Sequence, residues 1–324
     1  MMFKIIGQFV LAASLTTLLP VDAAQLEYRA GVETVYGEHG LGASHVNGFY
    51  TGLPLAPEEI DYPIKVDTES FGIVTTAKSA LVQDVESGMM MLAKHPDQVR
   101  SIGSVTKLMS VLVFLDGDPD LNEIVELTDE DIIYGGRIYL AFNKGISIED
   151  LLAASLVGSD NSATNSFGRL SGLTTQEFVK KMNDKANELD MTSTVFTDPT
   201  GIHSGNRSTA RDLIKLLEAA ESNAVMQKYM RLDRVVVEHT GGQQISIENT
   251  NKLLGSFLNE GEFSIRGGKT GFLPEAGYVL ATTVYENGNG IHVIVLGSES
   301  KDARVNEVKG LASWAFRVFK WPNE

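Results

Sequence analysis

Three short runs of this sequence hold residue types that together can form a nucleophilic acyl-transfer site. They are Ser104-Val-Thr-Lys107, Ser159-Asp160-Asn161 and Lys269-Thr270-Gly271. A serine hydroxyl is a weak nucleophile at its free pKa and needs a base within hydrogen-bond reach. Residues at i and i+3 share one face of a helix, so Lys107 sits one turn from Ser104 and can be that base if it is neutral. A neutral lysine requires burial or a second positive charge nearby, and Lys269 is the candidate for that charge. Each run also has an ordinary reading: Ser104 as a helix N-cap, Lys107 as a solvated lysine, Ser159 and Asn161 as a helix end, and Gly271 as a strand glycine.

Other stretches match the same patterns. Ser298-Glu-Ser-Lys301 repeats Ser-x-x-Lys, Ser204-Gly-Asn206 repeats Ser-x-Asn, and His239-Thr-Gly241 resembles Lys-Thr-Gly. Context favours the first set. Leu108 to Leu115 is almost wholly apolar and follows a Ser/Thr-rich start, which predicts a buried helix with Ser104 at its mouth, where backbone N–H groups are free. Ser298 stands at a predicted strand end and comes after every Lys-Thr-Gly candidate. Ser204 falls in a polar loop and His239 in a hairpin turn, while Lys269 precedes a turn and a strand.

The elements that must position these runs read as follows. Ala80–Val85 is a strand, Glu86-Ser-Gly88 a turn, and Met89–Lys94 the returning strand. Ile146 to Leu156 has helical apolar spacing and runs into Gly158-Ser159. Thr174-Thr-Gln-Glu177 is a capping box that opens a helix towards Leu189. Thr209 caps another helix through Ala220. Val235–Val237 and Ile245 onward are strands. Tyr278–Tyr285 and Ile291–Leu296 flank Asn287-Gly-Asn-Gly290, a hairpin signal. Val305, Val308, Leu311, Ala312, Ala315, Val318 and Phe319 share one helical face. Early strands, a mostly helical middle and late strands with a helix predict an α+β domain. Its antiparallel sheet draws on both ends of the chain, with a mostly helical lobe inserted between them.

Composition removes several alternatives. The 324 residues are 43% hydrophobic and 21% charged, enough apolar side chain for a packed core. With no cysteine, disulfide frameworks, thiolate metal sites and cysteine nucleophiles are excluded. A net charge of −15 repels phosphate backbones, so no nucleic-acid partner is expected. The six histidines form no metal-binding spacing, and no phosphate-cradling glycine motif occurs, so neither metal nor cofactor is expected. Lys4 followed by the apolar run Ile5–Leu19, Pro20 and Val21-Asp-Ala23 reads as a signal peptide over residues 1–23. Its alternative is a retained anchor. Residues 24–65 read as an extended segment without an assignable role, and residues 66–324 as the functional domain, with no separate C-terminal domain.

Further motifs accompany the three runs: Ser79-Ala-Leu-Val-Gln-Asp-Val-Glu-Ser-Gly88, Ser101-Ile-Gly-Ser-Val-Thr-Lys-Leu-Met109, Asp198-Pro-Thr-Gly201 with Ser208-Thr-Ala-Arg-Asp212, Asn249-Thr-Asn-Lys-Leu-Leu254, and Gly268-Lys-Thr-Gly271 with Glu275-Ala-Gly-Tyr278. In this order they resemble the D-alanyl-D-alanine carboxypeptidase family of low-molecular-mass penicillin-binding proteins, from about Ala77 to Trp321. The resemblance implies a β-lactamase/transpeptidase-like fold and a periplasmic serine peptidase acting on peptidoglycan stem peptides. β-Lactams would be covalent inhibitors, and no stable membrane anchor would remain after signal cleavage. It also implies roles. Ser104 is the nucleophile and Lys107 its base. Ser159 relays a proton to the leaving amine, and Asn161 orients Lys107 and the substrate amide. Lys269 supplies positive potential, Thr270 binds a substrate carboxylate, and Gly271 allows close approach. The backbone N–H groups of Ser104 and Phe272 form the oxyanion hole.

This sequence departs from the family pattern in three places. Ser-Asp-Asn replaces the commoner Ser-Gly-Asn, Phe272 stands where histidine is common, and the chain ends soon after a hairpin and a helix. Lys-Thr-Gly-Phe with Glu-Ala-Gly is similar to the DD-endopeptidase branch, which cuts cross-links. The leading expectation is a D-Ala-D-Ala carboxypeptidase, with the endopeptidase as its alternative. A class A β-lactamase lacks support, because Glu188 to Pro199 follows the carboxypeptidase pattern. From another class, a non-catalytic wall-binding protein remains as an alternative.

Overall fold

The computed structural model describes residues 62–136 and 138–322. The expectations for residues 1–23, and for all but the end of the 24–65 segment, lie outside the described residues.

The main sheet has five antiparallel strands in the order Phe263–Leu273, Gly277–Glu286, Asn289–Ser298, Ser79–Asp84, Met90–Lys94. The turn between the second and third of these uses Asn287 at φ 50° and Gly288 at φ 92°, the left-handed pair that a tight hairpin needs. Its three inner strands are buried at nearly every position because both faces are covered. Successive side chains point to opposite faces. Accordingly Leu280, Val293 and Val295 pack in one core with Leu311, Ala312 and Ala315 of the helix Lys301–Val318. Val279, Ala281, Ile294 and Leu296 pack in the other, with the helices Thr106–Leu115 and Ala210–Ser222. The early strands complete the sheet, with Ala80 opposite Val295 and Lys94 opposite Ala80. The helix Lys301–Val318 is followed by Phe319–Lys320, which pairs with Ile64–Lys65 and so brings residues before 66 into the folded body.

The inserted lobe is built around the helix Thr106–Leu115, in which every residue from Thr106 to Phe114 is buried. Around it lie Asn161–Leu170, Thr175–Glu188 and Ala210–Ser222. The predicted capping box forms: Thr174 Oγ1 accepts from Glu177 N at 3.2 Å, and the Glu177 carboxylate accepts from Thr174 N at 2.9 Å. The lobe is less purely helical than expected. It carries a four-stranded sheet ordered Ile124–Glu126, Gly145–Ser147, Arg234–His239, Gln243–Glu248. Part of the stretch read as one helix from Ile146 belongs to it. Helix begins only at Ile148, capped by Ser147, and from Ala154 to Gly158 it widens into a π-turn. Among the described residues, no helix is long and apolar enough to cross a membrane.

Candidate active site

Ser104 lies in a 3-10 turn, Gly103–Val105, that leads into the helix Thr106–Leu115. No side chain makes a capping hydrogen bond at either start, so the N-cap reading of Ser104 does not hold. Its Oγ instead accepts a hydrogen bond from Lys107 Nζ at 3.0 Å. The same ammonium donates to Asn161 Oδ1 at 2.7 Å and to the Thr200 carbonyl at 2.6 Å. Lys107 is 0% exposed, which rules out a solvated surface lysine.

That burial sets its charge state. Removal from water penalises the ammonium and brings the Lys107 pKa down from 10.5 to about 7, against the attraction of the Asp198 and Asp160 carboxylates. The expected contribution of Lys269 is replaced by a different contact. Lys269 Nζ donates to Ser159 Oγ at 2.8 Å and to the Thr270 carbonyl at 3.3 Å. Desolvation therefore does the work that a neighbouring cation was expected to share.

Ser159 closes the π-turn in the left-handed region, at φ 62° and ψ 35°. For a serine this conformation costs about 1 kcal/mol or more. It is followed at once by Asp160 as N-cap of the next helix, whose Oδ1 accepts from Ala163 N at 2.9 Å. This abrupt change of direction sets Ser159 against Lys269 and Asn161 against Lys107. Asp160 is itself buried, and its other oxygen accepts from Tyr139 N at 2.8 Å. Asn161 Nδ2 donates to the Gly135 carbonyl at 2.7 Å, which leaves Oδ1 as the acceptor facing Lys107.

Lys269, Thr270, Gly271 and Phe272 all lie within the edge strand Phe263–Leu273, which passes through a turn into the strand Gly277–Glu286, so Lys269 does precede a turn and a strand. Gly271 is required by close approach: a Cβ there would stand 2.3 Å from the Ile102 carbonyl oxygen and 3.2 Å from Ser104 N. From the other side, a Cβ on Gly103 would stand 2.9 Å from Phe272 N. The turn that carries Ser104 and the strand segment that carries Phe272 are thus packed backbone against backbone. Thr270 Oγ1 donates to Thr250 Oγ1 at 2.8 Å. Phe272 is 49% exposed and stacks on Tyr278 with ring centres 4.4 Å apart.

A half-buried serine hydrogen-bonded to a buried lysine at the start of a helix, and a second serine–lysine pair from Ser159 and Lys269, make an arrangement suited to acyl transfer. A family model described as D-alanyl-D-alanine carboxypeptidase matches residues 66–300. The chain belongs to this family of serine DD-peptidases. A D-alanyl-D-alanine endopeptidase of Haemophilus influenzae is 36% identical over 206 residues, covering 63% of this chain and 69% of that protein. Another, of Pseudomonas aeruginosa, is 31% identical over 239 residues, or 73% and 76% of the two chains. Among solved structures, penicillin-binding protein D2 of Listeria monocytogenes in its ampicillin-bound form superposes with a TM-score of 0.65 at 27% identity, covering 76% of this chain and 99% of that one. The transpeptidase-like α+β fold expected from the motifs is the fold observed.

The competing motifs of this DD-peptidase chain have structural work elsewhere. Ser298 Oγ donates to Glu307 Oε2 at 2.5 Å, joining sheet to final helix. Asn206 Oδ1 accepts from Thr197 N and Asp198 N at 2.7 and 3.1 Å, fixing the loop before Thr200. His239 is not in a turn: it ends the strand Arg234–His239, and its Nε2 accepts from Ala141 N at 3.1 Å.

The residues missed as site components are Thr200, Asp198, Thr250 and Gly135. Asp198 Oδ1 accepts from Thr200 N, Thr200 Oγ1 and Gly201 N at 2.8, 2.8 and 2.7 Å, and so aims the Thr200 carbonyl at Lys107. The Asp-Pro-Thr-Gly turn was the available signal, but its carbonyl has no side-chain signature. At Gly201, φ is +81° and a Cβ would fall 2.0 Å from the Gly103 carbonyl oxygen. Gly201→Ala is therefore expected to destabilise the fold by at least about 2 kcal/mol, measured as a shift in denaturant midpoint. It should also slow reaction with penicillin, because the displaced atom belongs to the Ser104 turn.

Proposed function

We propose that this chain is a DD-endopeptidase that hydrolyses D-alanyl cross-links in peptidoglycan through an acyl-enzyme on Ser104. One observation carries the chemistry: Lys107 Nζ is 3.0 Å from Ser104 Oγ and has a pKa near 7. Neutral Lys107 takes the hydroxyl proton as Oγ attacks the D-alanyl carbonyl. The N–H groups of Ser104 and Phe272 hold the oxyanion; losing one such donor typically costs about 100-fold or more. Only backbone is needed there, so a phenylalanine at 272 in place of histidine is tolerated. Ser159, held by Lys269, relays to the leaving amine the proton that Lys107 took from Ser104. Thr270 binds the carboxylate beside the scissile bond, and Asn161 holds both Lys107 and the substrate amide. Water then hydrolyses the ester. A β-lactam follows the first step and stalls at the second.

The choice of cross-links over free stem ends is supported by the two endopeptidase relatives and by Lys-Thr-Gly-Phe with Glu-Ala-Gly in this sequence. The substrate lies outside the cytoplasm, which agrees with a leader over residues 1–23. The test is to compare release of D-alanine from a pentapeptide with cleavage of a cross-linked dimer by the purified chain. The expected kcat/KM is at least about tenfold higher for the dimer, about 1.4 kcal/mol in transition-state binding. The reverse preference would identify a carboxypeptidase. Penicillin left intact, with no adduct, would identify a non-catalytic wall-binding protein; penicillin consumed without an adduct would identify a β-lactamase.

A further inference from the structure

Arg304 lies in the first turn of the final helix, Lys301–Val318, and is 4% exposed, yet none of the chemistry above uses it. Nothing local accounts for a cation there. The start of a helix carries partial positive charge, so an arginine in its first turn stands against the helix dipole. Burial also penalises the guanidinium and brings its pKa down from 12.5 to about 10, which leaves it charged at neutral pH. Among the described residues it enters no ion pair. Its Nε is buried without a hydrogen-bond partner. What it does hold is backbone: Arg304 Nη1 donates to the Gly271 and Val279 carbonyls, each at 3.1 Å. These two residues stand opposite each other in the main sheet.

The Gly271 carbonyl and the Phe272 N–H belong to one peptide group. In a planar trans peptide the two point in opposite directions. The guanidinium holds the carbonyl end. At the other end Phe272 N lies against the Ser104 turn, where a Cβ on Gly103 would meet it at 2.9 Å. A charged donor on the carbonyl oxygen fixes the peptide plane and draws electron density from the nitrogen, which makes the N–H a stronger donor. We infer that Arg304 is a positioning residue for acyl transfer, which orients and polarises the Gly271–Phe272 peptide so that the Phe272 N–H stabilises the oxyanion. The inference rests on the acyl-transfer reading above, with the Phe272 N–H as an oxyanion donor.

The test follows acylation of the full chain by benzylpenicillin, resolved into initial binding and the acylation rate at saturation. Arg304→Met and Arg304→Gln both remove the charge. Losing an oxyanion donor outright costs about 100-fold, so weakening one through its carbonyl is expected to slow acylation about tenfold, with initial binding unchanged. The infrared stretch of the acyl-enzyme ester carbonyl should move to higher wavenumber, because its oxygen sits where the oxyanion forms and loses hydrogen-bond strength. A merely structural tie between helix and sheet would not move it. Glu307→Gln is the control. Glu307 lies three residues further along the same helix and accepts from Thr76 Oγ1 at 2.7 Å. Its substitution should lower the thermal midpoint and leave rate and stretch as in the wild type. A wild-type rate in a folded Arg304 variant, or slow acylation with an unshifted stretch, overturns the inference. Failure of both variants to fold also overturns it, since the arginine is then a structural tie. No adduct on the wild type overturns the acyl-transfer reading itself and this inference with it.

Discussion

Ser104→Ala is expected to abolish both the penicillin adduct and peptide hydrolysis, with kcat falling by about 10⁶-fold. The size follows from the mechanism: without Oγ there is no covalent intermediate, and what remains is the oxyanion site and binding. The fold should be unaffected. Ser104 Oγ makes no capping bond, and its hydrogen bond is to Lys107, which keeps Asn161 and Thr200 as acceptors. An unchanged thermal midpoint beside a lost adduct, by intact mass, is the expected pair of results. An adduct of undiminished yield on the alanine variant would place the nucleophile elsewhere.

Lys107→Ala has the second-largest expected effect, a loss of about 10²–10⁴-fold in acylation rate, the usual worth of a general base. Lys107→Arg should be no better, because a guanidinium stays protonated and cannot take the serine proton. The pH profile carries the more specific statement. The wild-type acylation rate should climb with pH and level off above about 7, as buried Lys107 loses its proton. Neither variant should show that limb. The same lowered pKa couples to stability. Between about pH 7 and 10.5 the unfolded chain binds the proton that the folded chain has released, so this group makes stability rise with pH across that window. Below about pH 7 both states are protonated and the full cost of the buried charge is present. Denaturant midpoints at pH 7 and 9 should differ less in Lys107→Met than in the wild type.

Much of the fold was legible because its signals are local. The Thr174–Glu177 capping box, the Asn287-Gly288 turn and the apolar run after Ser104 are each fixed by neighbours within a few residues, and each forms. The Ser104–Lys107 pair belongs to the same class, since i and i+3 meet on any helix. The small sheet of the lobe was only half legible. Strands of three residues, such as Ile124–Glu126 and Gly145–Ser147, are too short to show alternation, and their partners lie far along the chain. The edge strand Phe263–Leu273 itself was not read from the sequence, because Gly267, Gly268 and Gly271 lower its strand propensity. Gly271 is there for a tertiary reason, the Ile102 carbonyl pressed against it.

By itself, then, the sequence determined which residue types could react, which of them share a helix face, and the family whose motif order they follow. Tertiary structure decided the rest. It brought Lys269 to Ser159 across 110 positions and the Thr200 carbonyl to Lys107 across 93. It gave Asn206 a loop to hold and left Asn161 to face the lysine. Above all it buried Lys107. A lysine's charge state depends on the water it loses, and that loss is a property of everything packed around it.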